Sequence, residues 1–307
     1  MSNAQFPNRS FKFAIGLTLF YLGLGFAYLN CGQAPPPANG DYELILPEKT
    51  ATTVLILFPG FPENANDTKR EFLIMQAAQK QGVALLFMNF NRKLWLNETE
   101  KQNLYASIEE ALKPDHLLDK NIYIGGFSSG GNMALTLSEY MVRSAKPIKP
   151  KGVFIVDSPI DLQGLVENAR NNIRRNVSEA SVSESRMLVD LFEKSFEKDE
   201  KGNFKLQNFT PFDAHTNDIS NLSHLKDVKI RLYTEPDKDW WMQNRGCPYE
   251  ETNAFYIKKL SEALQGPYGN AVELIETQNR GYRANGQRHP HSWSIVDQNQ
   301  LINWILH

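Results

Sequence analysis

The chain of 307 residues predicts an α/β architecture built on a mostly parallel sheet. Three observations predict it. Short, continuously apolar runs recur along the sequence, as expected of parallel strands covered on both faces. Helical patterns separate most of them. One run, Asn121-Ile122-Tyr123-Ile124-Gly125, leads through Gly126-Phe127-Ser128-Ser129-Gly130 straight into a helical pattern that begins near Asn132.

The strand-like runs lie at 42–46, 54–58, 83–88, 122–124, 152–156, 230–233 and 272–275. Helical patterns cover 67–81, 249–264 and 292–306. Another opens at Asn97-Glu98-Thr99-Glu100, a capping-box-like start ahead of Leu104, Ile108 and Leu112. The alternation breaks between residues 161 and 227, which are rich in charge and asparagine and offer no convincing strand. Only 185–196 looks helical there. The stretch is too long for a plain connection and reads as a cap inserted between two sheet strands, or as a long surface excursion.

The first 40 residues stay outside the fold. Arg9 and Lys12 precede an apolar run from 13 to 29 that ends at Asn30-Cys31, and a Pro-rich stretch at 32–40 follows. This pattern fits a cleaved secretory signal, an uncleaved anchor, or a lipoprotein signal acylated at Cys31. Tyr28-Leu29-Asn30-Cys31 is a loose form of the lipoprotein pattern. An exported protein is expected, tethered to a membrane rather than freely secreted, with residues 41–307 forming the folded domain. Membrane association is expected through this segment alone.

Composition excludes several classes. A net charge of −2 and the lack of a long basic run argue against a nucleic-acid partner. The only cysteines are Cys31 and Cys247, so no disulfide framework supports the fold, and no Cys/His set has zinc spacing. Internal repeats are not evident. A domain of this size buries enough apolar surface to stand without either.

Gly126-Phe127-Ser128-Ser129-Gly130 reads G-x-S-x-G, and its context gives it a mechanism. A sharp strand-to-helix turn presents Ser128 outward, small neighbours let strand and helix pass closely, and the helix points N–H groups at developing negative charge. A serine hydroxyl needs a base, and the base needs an orienting carboxylate. The run 230–233 leads into Glu235-Pro236-Asp237-Lys238-Asp239, which places carboxylates at the C-terminal edge of the sheet. Asp237 is the expected acid and Asp239 the alternative; both also suit the cap of a following helix. Of six histidines, His289 and His291 lie between the last strand-like run and the last helical pattern. His291, at the loop–helix junction, is the expected base, with His289 the alternative. Oxyanion donors are expected from the Ser129 N–H and from the Phe61 N–H in Phe58-Pro59-Gly60-Phe61-Pro62, where the prolines have none. Trp95, Trp240 and Trp241 are candidates for an apolar pocket or for core. Arg283 and Arg288, with Arg280 nearby, are candidates for binding an anionic part of a substrate or for a solvated basic loop.

Ser128, Asp237 and His291 in that chain order, with Pro59-Gly60-Phe61 after an early strand, resemble the α/β-hydrolase family from residue 42 to the C-terminus. Two details depart from common esterase patterns: Pro-Gly-Phe stands where many have His-Gly-Gly, and no Gly precedes the acid. The resemblance implies an eight-stranded, mostly parallel sheet with an inserted cap. It implies hydrolysis of carboxylic esters through an acyl-enzyme, with a small ester as partner and neither metal nor organic cofactor. A peptidase or amidase of the same fold would share these residues. A catalytically silent surface binding protein would keep the scaffold but need no intact serine, acid and histidine.

Overall fold

The computed structural model describes residues 40–90 and 93–307. The N-terminal segment, with Arg9, Lys12, the apolar run and Cys31, lies outside the described residues. Among the described residues, no helix is long and apolar enough to cross a membrane.

The described strands are β1 (Tyr42–Ile45), β2 (Thr53–Phe58), β3 (Val83–Met88), β4 (Asn121–Phe127), β5 (Pro150–Val156), β6 (Lys229–Thr234) and β7 (Val272–Glu276). They form one sheet in the order β1-β3-β2-β4-β5-β6-β7. All pair parallel except β1, which runs antiparallel to β3 at the edge. Each strand coincides with one of the seven apolar runs. The eighth strand that the resemblance implied is not among the described residues.

The helices are α1 (Ala65–Glu71), α2 (Met75–Lys80), α3 (Glu98–Leu112), α4 (Ser129–Arg143), α5 (Leu162–Arg175), α6 (Glu179–Ser195), α7 (Lys238–Arg245), α8 (Asn253–Tyr268) and α9 (Gln298–Leu306). Helices α3, α4 and α8 pack on one face of the sheet, against Val54, Ile56, Phe58, Ile122, Ile124, Ile155 and Leu232. Segments α1, α2 and α9 cover the other face, against Leu55, Leu57, Tyr123, Phe154 and Val156. Every residue of β2 and β3 is buried. Full burial of each Val, Leu, Ile or Phe contributes about 2 kcal/mol of transfer free energy. The near-continuous apolarity of these runs is the signature of that double coverage.

Three helical expectations change in detail. The pattern at 67–81 divides into α1 and α2 because Phe72 turns to an extended conformation, enters the core and stacks on Trp293 with ring centroids 4.5 Å apart. The patterns at 249–264 and 292–306 each open with a short 3-10 turn, at Tyr249–Glu251 and Trp293–Ile295, before α8 and α9. The capping box at Asn97 and Glu100 forms as read, with reciprocal side-chain to backbone bonds.

Between β5 and β6 the chain makes two helices. Helix α6 takes in the expected 185–196. Helix α5 was not legible beneath the charge of its outer face, and its apolar residues Leu162, Val166 and Ala169 are buried. Leu162, Val166, Phe192, Phe204 and Leu206 form a small core of their own with Leu94 and Trp95. Trp95 is therefore core, packed on Phe192 and Phe196. Asn168, Asn171 and Arg175 of α5 bond Glu251, which ties the insertion to the start of α8.

The strand order reverses between β2 and β4: the chain builds outward from β2 to β3, then returns to add β4 on the opposite side. In open α/β sheets the crevice at the carboxyl end of such a switch point is where ligands bind. The loop after β2 and the turn after β4 meet there.

Candidate active site

Ser128 joins β4 to α4 with φ 52° and ψ −128°. This conformation is sparsely populated for a residue with a side chain and costs about 1–3 kcal/mol. The surroundings hold it there. The Ser128 N–H donates to the Val156 carbonyl at 2.9 Å, and the Ser128 carbonyl accepts from the Gly131 N–H at 3.0 Å. Glycine is required on both sides of the turn. A Cβ at Gly126 would lie 2.0 Å from the Gly130 carbonyl oxygen, and one at Gly130 would lie 2.4 Å from the carbonyl oxygens of Phe58 and Pro59. Helix α4 starts at Ser129, so its unpaired N–H groups and positive dipole end face the turn.

Asp157 follows β5, in register with Ser128 on the neighbouring strand, since Phe127 pairs with Val156. It too has positive φ, 45°. Asp157 is buried, and each of its carboxylate oxygens has a partner. Oδ1 accepts from Thr234 Oγ1 at 2.7 Å, and Oδ2 lies 2.7 Å from His291 Nδ1. The Asp157 N–H donates to the Tyr233 carbonyl, and Asn253 Nδ2 donates to the Asp157 carbonyl. A carboxylate on Nδ1 assigns the proton to that nitrogen and leaves Nε2 as the free acceptor. The His291 ring lies on Phe127, the residue before Ser128, with centroids 4.5 Å apart. Ser128, His291 and Asp157 therefore share one sheet edge, an arrangement that a general-base site would need.

This corrects the acid read from the sequence. Asp237 does not face His291. It caps α7, accepting from the Trp240 N–H at 3.1 Å, and pairs with Arg288 at 2.5 Å. Asp239 sits exposed in the first turn of α7. The helix-cap alternative describes Asp237. The signal for Asp157 was present in the run 152–156 followed by Asp157: a buried strand ending in an acid, the same pattern that pointed to Asp237.

Arg288 is also reassigned. One of its terminal nitrogens meets both Glu235 and Asp237 at 2.5 Å, and the other donates to the Gly281 carbonyl at 2.8 Å. Glu235 is buried and further accepts from Thr277 Oγ1 and from the N–H groups of Arg280 and Gly281. Arg288 thus pins the loop that carries His291, with its charge shared between two carboxylates. Arg280 reaches Asp297 at 3.4 Å. Arg283 differs: its guanidinium lies over the Phe127 ring at 5.7 Å, beside His291.

His289 stands behind His291, 6.2 Å away between ring centroids, and against Trp240 and Trp241 at 4.6 and 5.9 Å. Both tryptophans are half-buried and pack on this ring. Burial, then the electrostatic influence of neighbouring His291, Arg283 and Arg245, pushes the His289 pKa down to about 2. Its Nδ1 is buried with no hydrogen-bond partner. His289 packs between His291 and the two tryptophans, where burial favours its neutral form.

The loop after β2 closes the other side. Gly60 comes close to the nucleophile, since a Cβ there would lie 3.1 Å from Ser128 Cβ. The Phe61 N–H donates to Ser129 Oγ at 2.9 Å. The Phe61 N–H, expected to face an oxyanion, is thus taken up by the Ser129 hydroxyl in this structure. Among the described residues, no group of three or more His, Cys, Asp and Glu could hold a metal ion.

No sequence-family model matches the chain, and no curated protein matches it. Solved structures do. Fluorophosphonate-binding serine hydrolase F of Staphylococcus aureus superposes with a TM-score of 0.52 at 14% identity, over 87% of this chain and 92% of that one. Carboxyl esterase 2 of the mycorrhizal fungus Tuber melanosporum gives 0.54 at 15% identity, over 86% and 76%. An esterase of the bacterial hormone-sensitive lipase family gives 0.52 at 12% identity, over 89% and 84%. The chain has the α/β-hydrolase fold. Within that fold, the strained serine, the loop after β2 and the His291–Asp157 pair sit at the carboxyl edge of the sheet.

The depressed pKa of His289 has a consequence for stability. Unfolding restores its ordinary value of about 6.5, so below that pH the unfolded chain binds a proton that the folded chain does not. Stability is present above the unfolded pKa and is lost as pH falls. His289→Phe should remove about 2 kcal/mol of the stability lost between about pH 7 and about pH 5, read from urea unfolding. An unchanged acid slope would show that His289 takes up its proton in the folded state.

Proposed function

We propose that this chain is a serine hydrolase that cleaves carboxylic esters through an acyl-enzyme. The observation that carries the reading is the 2.7 Å contact of His291 Nδ1 with the buried Asp157, at the sheet edge that presents the strained Ser128. Ser128 Oγ attacks the ester carbonyl carbon, and its proton passes to His291 Nε2. The resulting imidazolium is stabilised by Asp157. The tetrahedral oxyanion is met by the Ser129 N–H and the N-terminus of α4, and by the Phe61 N–H once it exchanges Ser129 Oγ for the oxyanion. As the intermediate collapses, the bond to the alcohol oxygen breaks and His291 returns the proton to that oxygen. Water then repeats the sequence on the acyl-enzyme: His291 takes its proton, the acid is released, and Ser128 recovers its hydrogen. No metal or organic cofactor enters these steps.

The α/β-hydrolase neighbours, whose names include esterases and a serine hydrolase, support the same chemistry. For location, the reading is an exported protein tethered through its first 40 residues. The basic residues, the apolar run and the Pro-rich spacer in the sequence support it.

A fluorophosphonate probe is expected to label the wild-type protein at Ser128 and to leave Ser128→Ala unlabelled. The same substitution should lower kcat on p-nitrophenyl acetate by about 10⁴-fold or more. Turnover by Ser128→Ala above about a tenth of wild type would refute the nucleophile. Faster turnover of aminoacyl p-nitroanilides than of any ester would make the enzyme a peptidase.

The acid is tested separately. Asp157→Asn should lower kcat by about 10⁴-fold, because an amide holds the wrong histidine tautomer. Asp237→Asn should cost about tenfold or less in kcat, with its main effect a lower Tm from the weakened Arg288 pin. The reverse ranking would return the acid to Asp237.

A further inference from the structure

Four arginines gather around the two histidines, and they are not equivalent. Arg288 and Arg280 are committed to carboxylates, as described above. Arg245, in the last turn of α7, has no ion-pair partner among the described residues. It lies near enough for its charge to depress the pKa of His289. Arg283 has Glu63 as its nearest carboxylate, but at 3.7 Å, beyond the 2.7–2.9 Å of a charge-assisted hydrogen bond.

Glu63 is a poor counter-ion for Arg283. It sits on the loop that carries Phe61, and its Oε2 is buried with no hydrogen-bond partner. Burial pushes its carboxyl above the usual range, more than the nearby charges of Arg283 and His291 pull it down. Asp67 and Glu71 raise it further. These two acids are themselves engaged: Asp67 with Arg70, and Glu71 with Arg70 and the Ala284 N–H. The His291 loop and α7 thus bring the positive charges of Arg283 and Arg245 close to the two histidines, with Arg283 only loosely paired to Glu63. Those charges oppose formation of the imidazolium on which ester cleavage depends. A negative charge on the bound substrate would relieve the opposition and would meet a planar guanidinium on the ring of Phe127, the residue before Ser128.

Resting on the ester-hydrolase reading, we infer that the preferred substrates are esters bearing a carboxylate, held by Arg283. The side chain of Arg283 is 26% exposed, so a ligand can reach it. The inward face of the guanidinium is already occupied by Phe127. The edge remains for a carboxylate, the geometry that arginine recognises best.

The test uses the full chain and matched pairs of esters that differ only in charge. On the leaving-group side the pair is 4-acetoxybenzoate and 4-acetoxybenzamide. On the acyl side it is monoethyl succinate and ethyl succinamate. Each kcat/KM is divided by the ester's own hydroxide-catalysed rate. The expected result is a preference of about tenfold or more for the anionic member of at least one pair at low salt. That preference should fall several-fold by about 0.5 M KCl, as screening predicts. Arg283→Gln should abolish most of the ratio and Arg283→Lys should retain part of it. The wild-type salt dependence serves if either variant fails to fold. A ratio near one in both pairs, with Ser128 still labelled by fluorophosphonate and neutral esters still cleaved, overturns this inference alone. Loss of labelling and of all ester turnover overturns the hydrolase reading and this inference with it.

Discussion

The strained backbone at Ser128 is the constraint on which the rest of the structure depends. A serine at φ 52° between a parallel strand and a helix survives only if its neighbours leave it no alternative. Strand β4 supplies that compulsion from the centre of the sheet, paired with β2 on one side and β5 on the other. Helix α4 supplies the rest, because its first turn passes so close to Phe58 and Pro59 that Gly130 cannot carry a side chain. Gly131 is equally confined, since a Cβ there would lie 1.9 Å from Ser158 Oγ. The central strands, the glycines and the burial of α4 are one mechanical arrangement. Free energy from burying apolar surface on both faces of the sheet offsets the local cost at the turn.

The second dependence runs through carboxylates at successive strand ends. Asp157 after β5 and Glu235 after β6 are both buried acids in the same layer, and they do different work. Asp157 bonds the histidine. Glu235 gathers the loop that delivers it, accepting from Thr277, Arg280 and Gly281 and pairing with Arg288. Were Asp237 the histidine's partner, Arg288 would lose one of its two carboxylates and the loop its clamp. With the histidine's partner at the end of β5, the β6 end is free to act as foundation. The distance along the chain between His291 and Asp157 is 134 residues, so that foundation is what makes the contact reproducible.

Much of this was legible in the residues. All seven strands announced themselves as apolar runs, and the strand–glycine–serine–helix context located the central turn. His291, the histidine that meets Asp157, stands at the loop–helix junction noted in the sequence. The acid was not legible, because β5 and β6 end in the same kind of signal and sequence order does not say which carboxylate a distant loop will reach. That choice rests on the Glu235–Arg288 contacts, which span loops with no periodicity to read. Helix α5 was hidden for a different reason. It buries a narrow stripe and exposes Asn168, Asn171 and Arg174 around it, so its composition resembles a solvated excursion. The split of α1 from α2 followed from a single side chain, Phe72, whose place against Trp293 is a tertiary fact.

That same aromatic contact links the core to the chemistry. Phe72 stacks on Trp293, Trp293 lies 5.4 Å from Phe127, and Phe127 lies 4.5 Å from His291. Each ring belongs to a different segment: the end of α1, the turn after the histidine loop, the last residue of β4, and the histidine itself. Phe127 is thus packed from one side by the hydrophobic core and from the other by the histidine ring, with the Arg283 guanidinium also on its face. Interiors packed to crystal density transmit displacement rather than absorb it. The orientation of His291 is therefore set twice, by the directional bond to Asp157 at Nδ1 and by the flat contact with Phe127. A carboxylate alone would leave the ring free to swing about that bond. A ring contact alone would leave the tautomer undecided. Together they fix both the tautomer and the ring plane of His291.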